Sequence, residues 1–163
     1  MTSSSEIFLR HNAWANLTLI DACKELPQSD LSATIDAVFG SVQDTLHHII
    51  GNEASYLTLF GVQLEGAPAA GERFGGFAPL RELALRTGDA LVEQARLLDA
   101  AQRLRGEFNG RAYDMPAALA LAQAVHHGTD HRSQVASILT SRGIAAPELS
   151  VWAFAEGTHD LWV

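Results

Sequence analysis

Three of the chain's seven histidines fall within six positions of the stretch LAQAVHHGTDHRSQVASIL, residues 121–139. The surrounding apolar residues recur at helical spacing, so this stretch is predicted to form a helix. His127 and His131 are four residues apart and share the face near the apolar stripe, whereas His126 lies roughly opposite it. Two neighbouring half-buried imidazoles need polar partners, and one divalent cation satisfies both. The spacing therefore suggests a metal site, for which a third ligand is required.

The earlier segment LHHIIGNEASYL contains two adjacent histidines, one of which is a candidate for the third ligand. His47 and His48 lie on opposite flanks of the apolar stripe of this predicted helix, so periodicity leaves both open. A structural alternative also stays open, in which each histidine lies at the edge of the core and hydrogen-bonds a protein partner. Two hydrolase types are excluded, because Gly128 replaces the glutamate of the HExxH zinc-protease motif and no GxSxG nucleophile elbow occurs.

Composition indicates a soluble globular protein and argues against a nucleic-acid partner. The 163 residues are 47% hydrophobic and 18% charged, with one cysteine and a net charge of −8. This charge repels phosphate backbones, and the single Cys23 excludes an intrachain disulfide. No apolar run is long enough to span a membrane, and the N-terminus lacks the pattern of a signal peptide. We therefore expect a cytoplasmic protein that binds neither nucleic acid nor membrane.

Four long helices are predicted to position the histidines within a single domain, residues 1–163. The helix ends are indicated by N-capping residues, prolines and glycines. The first helix runs from the serines at 3–5 to Pro27, and the second from Ser41 to near Gly61. The third has Pro79 in its first turn and ends near Leu104, and the fourth runs from Pro116 to Arg142. A glycine-rich connection follows the second helix, and Asn109-Gly110 favours a small hairpin before the fourth. The expected fold class is all-α, a four-helix bundle whose facing helices build a site in the core.

Four stretches, in order along the chain, resemble the DinB superfamily of DinB/YfiT-like proteins. HNAWANLTLIDACKELP is similar to the opening helix of that family, and LHHIIGNEASYL to its second helix, in which a ligand His precedes a Glu at +5 and an aromatic at +8. HHGTDHRSQV resembles the H-x-x-x-H-R-x-Q signature. PELSVWAF resembles a Pro-Glu-Leu-Asp tail in which Ser150 replaces the acid.

This resemblance selects the third histidine, because Glu53 and Tyr56 stand at +5 and +8 only when counted from His48. It implies a four-helix bundle, commonly a homodimer, that holds one divalent metal ion. The implied ligands are His48, His127 and His131. Zinc is the first expectation for the ion, with nickel, manganese or iron as alternatives.

Three neutral imidazoles leave one or more coordination positions open, as in catalytic rather than structural zinc sites. Characterised relatives include bacterial thiol transferases and a thiol-dependent isomerase, so the resemblance implies a small-molecule substrate, with low-molecular-weight thiols as candidates. The leading prediction is a metal-dependent thiol S-transferase or hydrolase. The alternatives are a non-catalytic metal-binding stress protein and a bundle whose histidines bind nothing. Activity is expected to fall as pH drops through roughly 6 to 7, because metal ligands must be deprotonated.

No catalytic residue is assigned from the sequence. Four further residues are candidates for orienting a ligand or binding substrate: Asp44, Glu53, Arg132 and Gln134. Asp44 lies one turn before His48 and is a candidate for orienting it, but a solvated helix-face acid is the preferred interpretation of this residue. For Arg132 and Gln134 the alternative is a structural salt bridge or an interhelical hydrogen bond.

Overall fold

The computed structural model describes residues 2–69, 71–108 and 110–158, and within these ranges the chain is mostly helical. The elements in chain order are α1 (Ser4–Cys23), α2 (Gln28–Leu31), α3 (Val42–Thr58), α4 (Phe77–Leu97), β1 (Arg103–Phe108), β2 (Arg111–Pro116), α5 (Ala117–Ser141) and α6 (Val151–Gly157). None of the helices in these ranges combines the length and hydropathy that a membrane span requires.

Helix starts follow the capping chemistry that the sequence indicates. The hydroxyl of Ser3 accepts a hydrogen bond from the Glu6 backbone N–H at the start of α1. Ser41 does the same for the N–H of Asp44 at the start of α3, and its own hydroxyl donates to the Asp44 carboxylate. These contacts satisfy backbone donors that a helix leaves unpaired in its first turn.

Helix ends differ from the sequence prediction at three places. α1 ends at Cys23 rather than at Pro27, and α3 ends at Thr58 rather than near Gly61. The prediction that the third helix reaches Leu104 is wrong, because α4 ends at Leu97 and Leu104 lies in β1. The short helices α2 and α6 are absent from the prediction, since four and seven residues are too few to give a periodic pattern.

The predicted hairpin before the last long helix is present. β1 and β2 pair antiparallel in a register that runs from Arg103 opposite Pro116 to Phe108 opposite Arg111. Gly110 adopts a φ of 74°, which glycine tolerates without steric cost. Its predicted turn partner, Asn109, lies outside the described residues.

The long helices pack pairwise around an apolar core. α1 contacts α4 and α5, and α3 contacts the same two helices from the other side. The largest buried cluster draws leucine, isoleucine and valine residues from all four. Cys23 lies in this cluster, fully buried, and burial raises the pKa of its thiol to about 12. This packing places one face of α3 against one face of α5, where the candidate site lies.

Candidate metal centre

Three imidazoles converge where α3 faces α5. His48 comes from α3, and His127 and His131 come from successive turns of α5. One ring nitrogen from each residue lies within 4.8 Å of the others, and Nε2 of His48 is 3.0 Å from Nε2 of His127. Two nitrogen ligands of a tetrahedral zinc ion, each about 2.0 to 2.1 Å from it, lie roughly 3.4 Å apart. The cluster is therefore close to the spacing that one ion requires.

Gln134 determines which nitrogen of His131 is available. Its side-chain oxygen accepts a hydrogen bond from the backbone N–H of Phe39, 3.0 Å away, and this fixes the orientation of the amide. The same oxygen lies 3.0 Å from Nδ1 of His131, so Nδ1 must be the protonated, donating nitrogen. In a neutral ring this leaves the lone pair on Nε2, the form in which histidine binds metals.

His48 is held between an aromatic ring and an amide. Phe39 stacks on its imidazole with the ring centroids 3.8 Å apart and the planes inclined by 26°. The side-chain nitrogen of Asn52 donates to the carbonyl oxygen of His48 at 2.9 Å and lies 3.1 Å from its Nδ1. Burial, reinforced by the charges of the neighbouring histidines, lowers the pKa of His48. The neutral ring is thus favoured and its orientation is constrained.

Within the described ranges, His127 combines an unpartnered ring nitrogen with a strongly lowered pKa. Its Nδ1 is buried and has no hydrogen-bond partner among the described residues. Burial comes first among the causes that lower its pKa to about 4, followed by the charges of His131 and His48. An unsatisfied buried nitrogen costs free energy, so this ring is not placed here by stability alone. Tyr56 packs edge-on against it, with ring centroids 5.8 Å apart.

The two remaining histidines on these helices lie outside the cluster. His47 packs edge-on against Phe74, and His126 is exposed and pairs with Asp130 at 3.3 Å. Asp44, a candidate for orienting His48, caps the start of α3 through Ser41 and makes no hydrogen bond to His48 among the described residues. Its reading as a helix-face acid is therefore favoured over a role in orienting the ligand.

Glu53 and Arg132 are buried in the core beside the cluster and do not line it. The two Nδ2 groups of Asn12 and Asn16 each donate to Oε1 of Glu53 at 2.7 Å. The side-chain oxygens of the same two asparagines accept from Nη1 of Arg132 at 2.8 and 2.6 Å. Burial raises the pKa of Glu53 and lowers that of Arg132 to about 10, so the guanidinium is charged at neutral pH. This is the interhelical contact that the sequence left open for Arg132.

A cavity of about 440 Å³ adjoins the cluster on the side of His48. Gly51 shapes it, because a Cβ there would lie only 2.9 Å from Cγ of Pro68, in the connection between α3 and α4. The lining includes Phe39, Asp44, Asn52, Ser55, Pro68 and Glu72. Among the described residues that line it there is no lysine or arginine, so its fixed charges are negative.

Sequence reasoning missed Phe39 and Asn52 as parts of the site. Phe39 lies in the segment between α2 and α3, where no periodicity applies, and only its fold-dependent approach to Gln134 reveals it. Asn52 was identifiable in principle, because it stands four residues after His48 on the same helix. Asn12 and Asn16 belong to the stretch HNAWANLTLIDACKELP, which the family resemblance matched without giving these residues a role, and the structure places them between Glu53 and Arg132.

Comparison with known protein families gives a match over nearly the whole chain. The model of the DinB family matches residues 1–161. The chain belongs to the DinB family. It is also 26% identical over 146 residues to Protein DinB of Bacillus subtilis (strain 168), an alignment that covers 83% of this chain and 84% of the relative.

The metal that DinB family membership implies fits the residues present. The donor set is three imidazoles, two of which have a lowered pKa and are neutral at pH 7. Neutral imidazole suits zinc, nickel, iron and copper, whereas magnesium and calcium prefer oxygen ligands. Nδ1 of His127 has no hydrogen-bond partner among the described residues, whereas Nε2 faces His48. This is consistent with a ring that is positioned so that Nε2 can bind the ion. The cluster can therefore hold a metal ion.

Ser150, which departs from the DinB family pattern, has a defined structural role. Its hydroxyl accepts a hydrogen bond from the backbone N–H of Ala153 and caps α6. Serine and aspartate are comparably good N-cap residues, so the substitution preserves this function. The capped helix packs Phe154 against Trp14 of α1, with ring centroids 5.7 Å apart. The last five residues, 159–163, lie outside the described ranges.

Proposed function

We propose that this protein is a metal-dependent enzyme of the thiol S-transferase or hydrolase type, with His48, His127 and His131 as its metal ligands. The observation that carries the proposal is the convergence of three imidazole nitrogens within 4.8 Å, beside a cavity of about 440 Å³. A closed structural site needs a fourth protein ligand, and no such group joins the cluster among the described residues. Zinc is the ion that we expect first, with nickel, manganese and iron as alternatives.

A bound divalent ion would supply Lewis acidity that lowers the pKa of a thiol or a water molecule. The protein's own residues provide the positioning. Gln134 holds His131 in the tautomer with a free Nε2, and Phe39 and Asn52 contact the His48 ring. Half-burial of the three rings excludes part of the solvent, and it keeps His48 and His127 unprotonated at neutral pH.

The cavity indicates a small-molecule substrate. Phe39 and Pro68 give it apolar walls, and Asn52 and Ser55 supply polar groups that can hydrogen-bond a bound molecule. Its negative charges disfavour a strongly anionic substrate. A neutral or cationic low-molecular-weight thiol is consistent with this lining.

The remaining parts of the proposal concern assembly and location. We propose that α1, α3, α4 and α5 form a four-helix bundle within a single domain of residues 1–163. Their pairwise packing supports this arrangement. A homodimer in the cytoplasm, with neither nucleic acid nor membrane as partner, completes the proposal and is supported by the resemblance and by the net charge of −8.

The test begins with protein purified without a histidine tag. Metal content is measured by mass spectrometry, and turnover is then assayed with small thiols plus an aromatic halide, and separately with activated esters. His127→Ala should lose most of the metal and any turnover, while the adjacent and exposed His126→Ala should retain both. A wild-type protein that binds no divalent metal contradicts the proposal. Metal binding without turnover favours the non-catalytic alternative.

A further inference from the structure

The core beside the metal centre contains two buried charges that do not touch each other. Glu53 of α3 is 0% exposed and Arg132 of α5 is 4% exposed. Asn12 and Asn16, at 0% and 2%, lie between them on α1. Each asparagine donates to the carboxylate and accepts from the guanidinium, so the charges are joined by two parallel amide bridges. We name these four residues the bridged charge pair.

The bridged charge pair extends beyond its four members. Thr87 of α4 donates to Oε2 of Glu53 at 3.3 Å, and Arg132 donates through Nη2 to Thr129 at 3.1 Å. Hydrogen bonds therefore connect α1, α3, α4 and α5 at one level of the fold. One of these residues, Arg132, is an immediate neighbour of a proposed ligand, because it follows His131 in the sequence.

Gly128 is required for this arrangement. A Cβ at this position would lie 2.7 Å from Nη1 of Arg132 and 2.7 Å from Oδ1 of Asn12, which is closer than such atoms approach in proteins. The bare backbone of α5 therefore gives the guanidinium room to turn toward α1. Glycine inside a helix is less stable than alanine, so the close approach is gained at some loss of helix stability.

From this geometry we infer that the bridged charge pair sets the axial register of α3 against α5 and thereby the convergence of the three histidines. Apolar contacts are non-directional and tolerate sliding, whereas hydrogen bonds weaken steeply with distance and angle. A shift of one residue along a helix is a translation of about 1.5 Å. Metal ligands must be placed to within about 0.2 Å. The four bridging bonds fix the register to a precision that the apolar core does not provide.

The inference rests on the proposed metal site, and it makes Glu53, Asn12, Asn16 and Arg132 positioning residues. It is tested with Asn16→Leu, which removes one bridge while keeping the number of side-chain heavy atoms and the branching at Cγ. Thr45→Val is the matched control, because Thr45 is fully buried on α3 and its hydroxyl bonds Ser41 outside the pair. For each protein, urea unfolding of the metal-free form gives the stability, and competition with a chromophoric chelator gives the zinc affinity.

We expect Asn16→Leu to weaken zinc binding at least tenfold, and to do so by more than its loss of stability accounts for. Thr45→Val should lose stability while its zinc affinity stays within threefold of wild type. If the loss of zinc affinity is proportional to the loss of stability by the same factor in both variants, Asn16 has a merely structural role and the inference is overturned. Should Asn16→Leu fail to fold, Asn16→Ser replaces it, because its hydroxyl is too short to bridge the two charges.

A structural readout separates this inference from the proposed function. Crystal structures of metal-free wild type and Asn16→Leu give the distance between Nε2 of His48 and Nε2 of His127, which is 3.0 Å here. The inference expects this distance to lengthen by about 1 Å or more in the variant, and an unchanged distance overturns it. A wild-type protein that binds no zinc contradicts the proposed function and leaves this measurement valid.

Discussion

Nδ1 of His131 lies 3.0 Å from the side-chain oxygen of Gln134 and donates its proton to that oxygen. Replacing Gln134 with leucine removes the acceptor and frees the ring to rotate and change tautomer. Groups that hydrogen-bond a metal-binding histidine typically contribute roughly 10- to 100-fold to metal affinity. We therefore expect Gln134→Leu to weaken zinc binding within that range, as measured by competition with a chromophoric chelator. Gln123→Leu, at an exposed position of α5, is the control and should bind zinc as wild type does.

Metal-free protein should lose stability as the pH falls from about 6.5 to about 4. His127 has an ordinary pKa of 6.5 when unfolded and one of about 4 when folded. Between these values the unfolded chain binds more protons, so the free energy of unfolding decreases as pH decreases. The lowered pKa of His48 acts in the same direction. Urea unfolding at pH 7 and pH 5 should show a smaller decrease for metal-free His127→Asn than for wild type, and equal decreases would contradict the assignment.

The lowered pKa values of His48 and His127 also lower the pH at which metal loss is expected. Ordinary histidine values place it at roughly 6 to 7. Because burial lowers the pKa of both His48 and His127, protons compete with the metal for these nitrogens only in more acidic solution. Zinc released on stepwise acidification, followed with a fluorescent indicator, should therefore appear mainly below pH 6. Half-release at pH 6.5 or above would show that the rings are not desolvated as the structure indicates.

Phe39 should slow access to the metal. Its ring covers one face of His48, is 51% exposed and lines the cavity. Aromatic ring pairs contribute about 0.5 to 1.5 kcal/mol, which corresponds to a rate factor of roughly 2 to 10. Phe39→Ala is expected to accelerate zinc removal by a chelator by such a factor in stopped-flow measurements. Phe108→Ala, an exposed phenylalanine on the hairpin, should leave the rate unchanged. Equal rates for Phe39→Ala and wild type would show that Phe39 does not shield the site.

The cavity should discriminate among small thiols by charge. Cysteamine, 2-mercaptoethanol and mercaptoacetate are of similar size and are cationic, neutral and anionic at the far end. Glu72 lines the cavity, so Glu72→Gln is expected to reduce the preference for cysteamine over mercaptoacetate by roughly 2- to 5-fold, the size of an exposed charge interaction. Binding is followed by the absorption of cobalt-substituted protein. Glu82→Gln, an exposed acid on α4, is the control, and an unchanged preference in Glu72→Gln would exclude Glu72 from substrate contact.

Local sequence signals predicted much of the fold and paired two of the three histidines that cluster in the structure. Ser41 and Pro116 marked helix starts because residue preferences at a helix start are local: serine caps the first turn, and proline suits a position where no backbone N–H is needed. His127 and His131 were paired by helical spacing alone. The choice of His48 over His47 required the family resemblance, because both flank the same stripe and only the packing of α3 on α5 decides between them.

Contacts distant in sequence could not be predicted. Gln134 meets Phe39 across 95 positions, and Arg132 meets Asn12 across 120. No local sequence pattern around Phe39 or Asn12 identifies the residue that each of them contacts. Gly128 shows the same limit, because a glycine within a helical pattern signals close approach of some group without identifying it.

The buried position of Cys23 makes the folded protein convenient for thiol chemistry in the test tube. Its thiol is 0% exposed and its pKa is raised to about 12, so it offers almost no thiolate to an oxidant or an alkylating reagent. Cys23 is the only cysteine in the sequence. A thiol-detecting dye added to the native protein therefore reports only the thiol added to the assay, and the slow appearance of one extra reactive thiol per chain would mark unfolding during the assay.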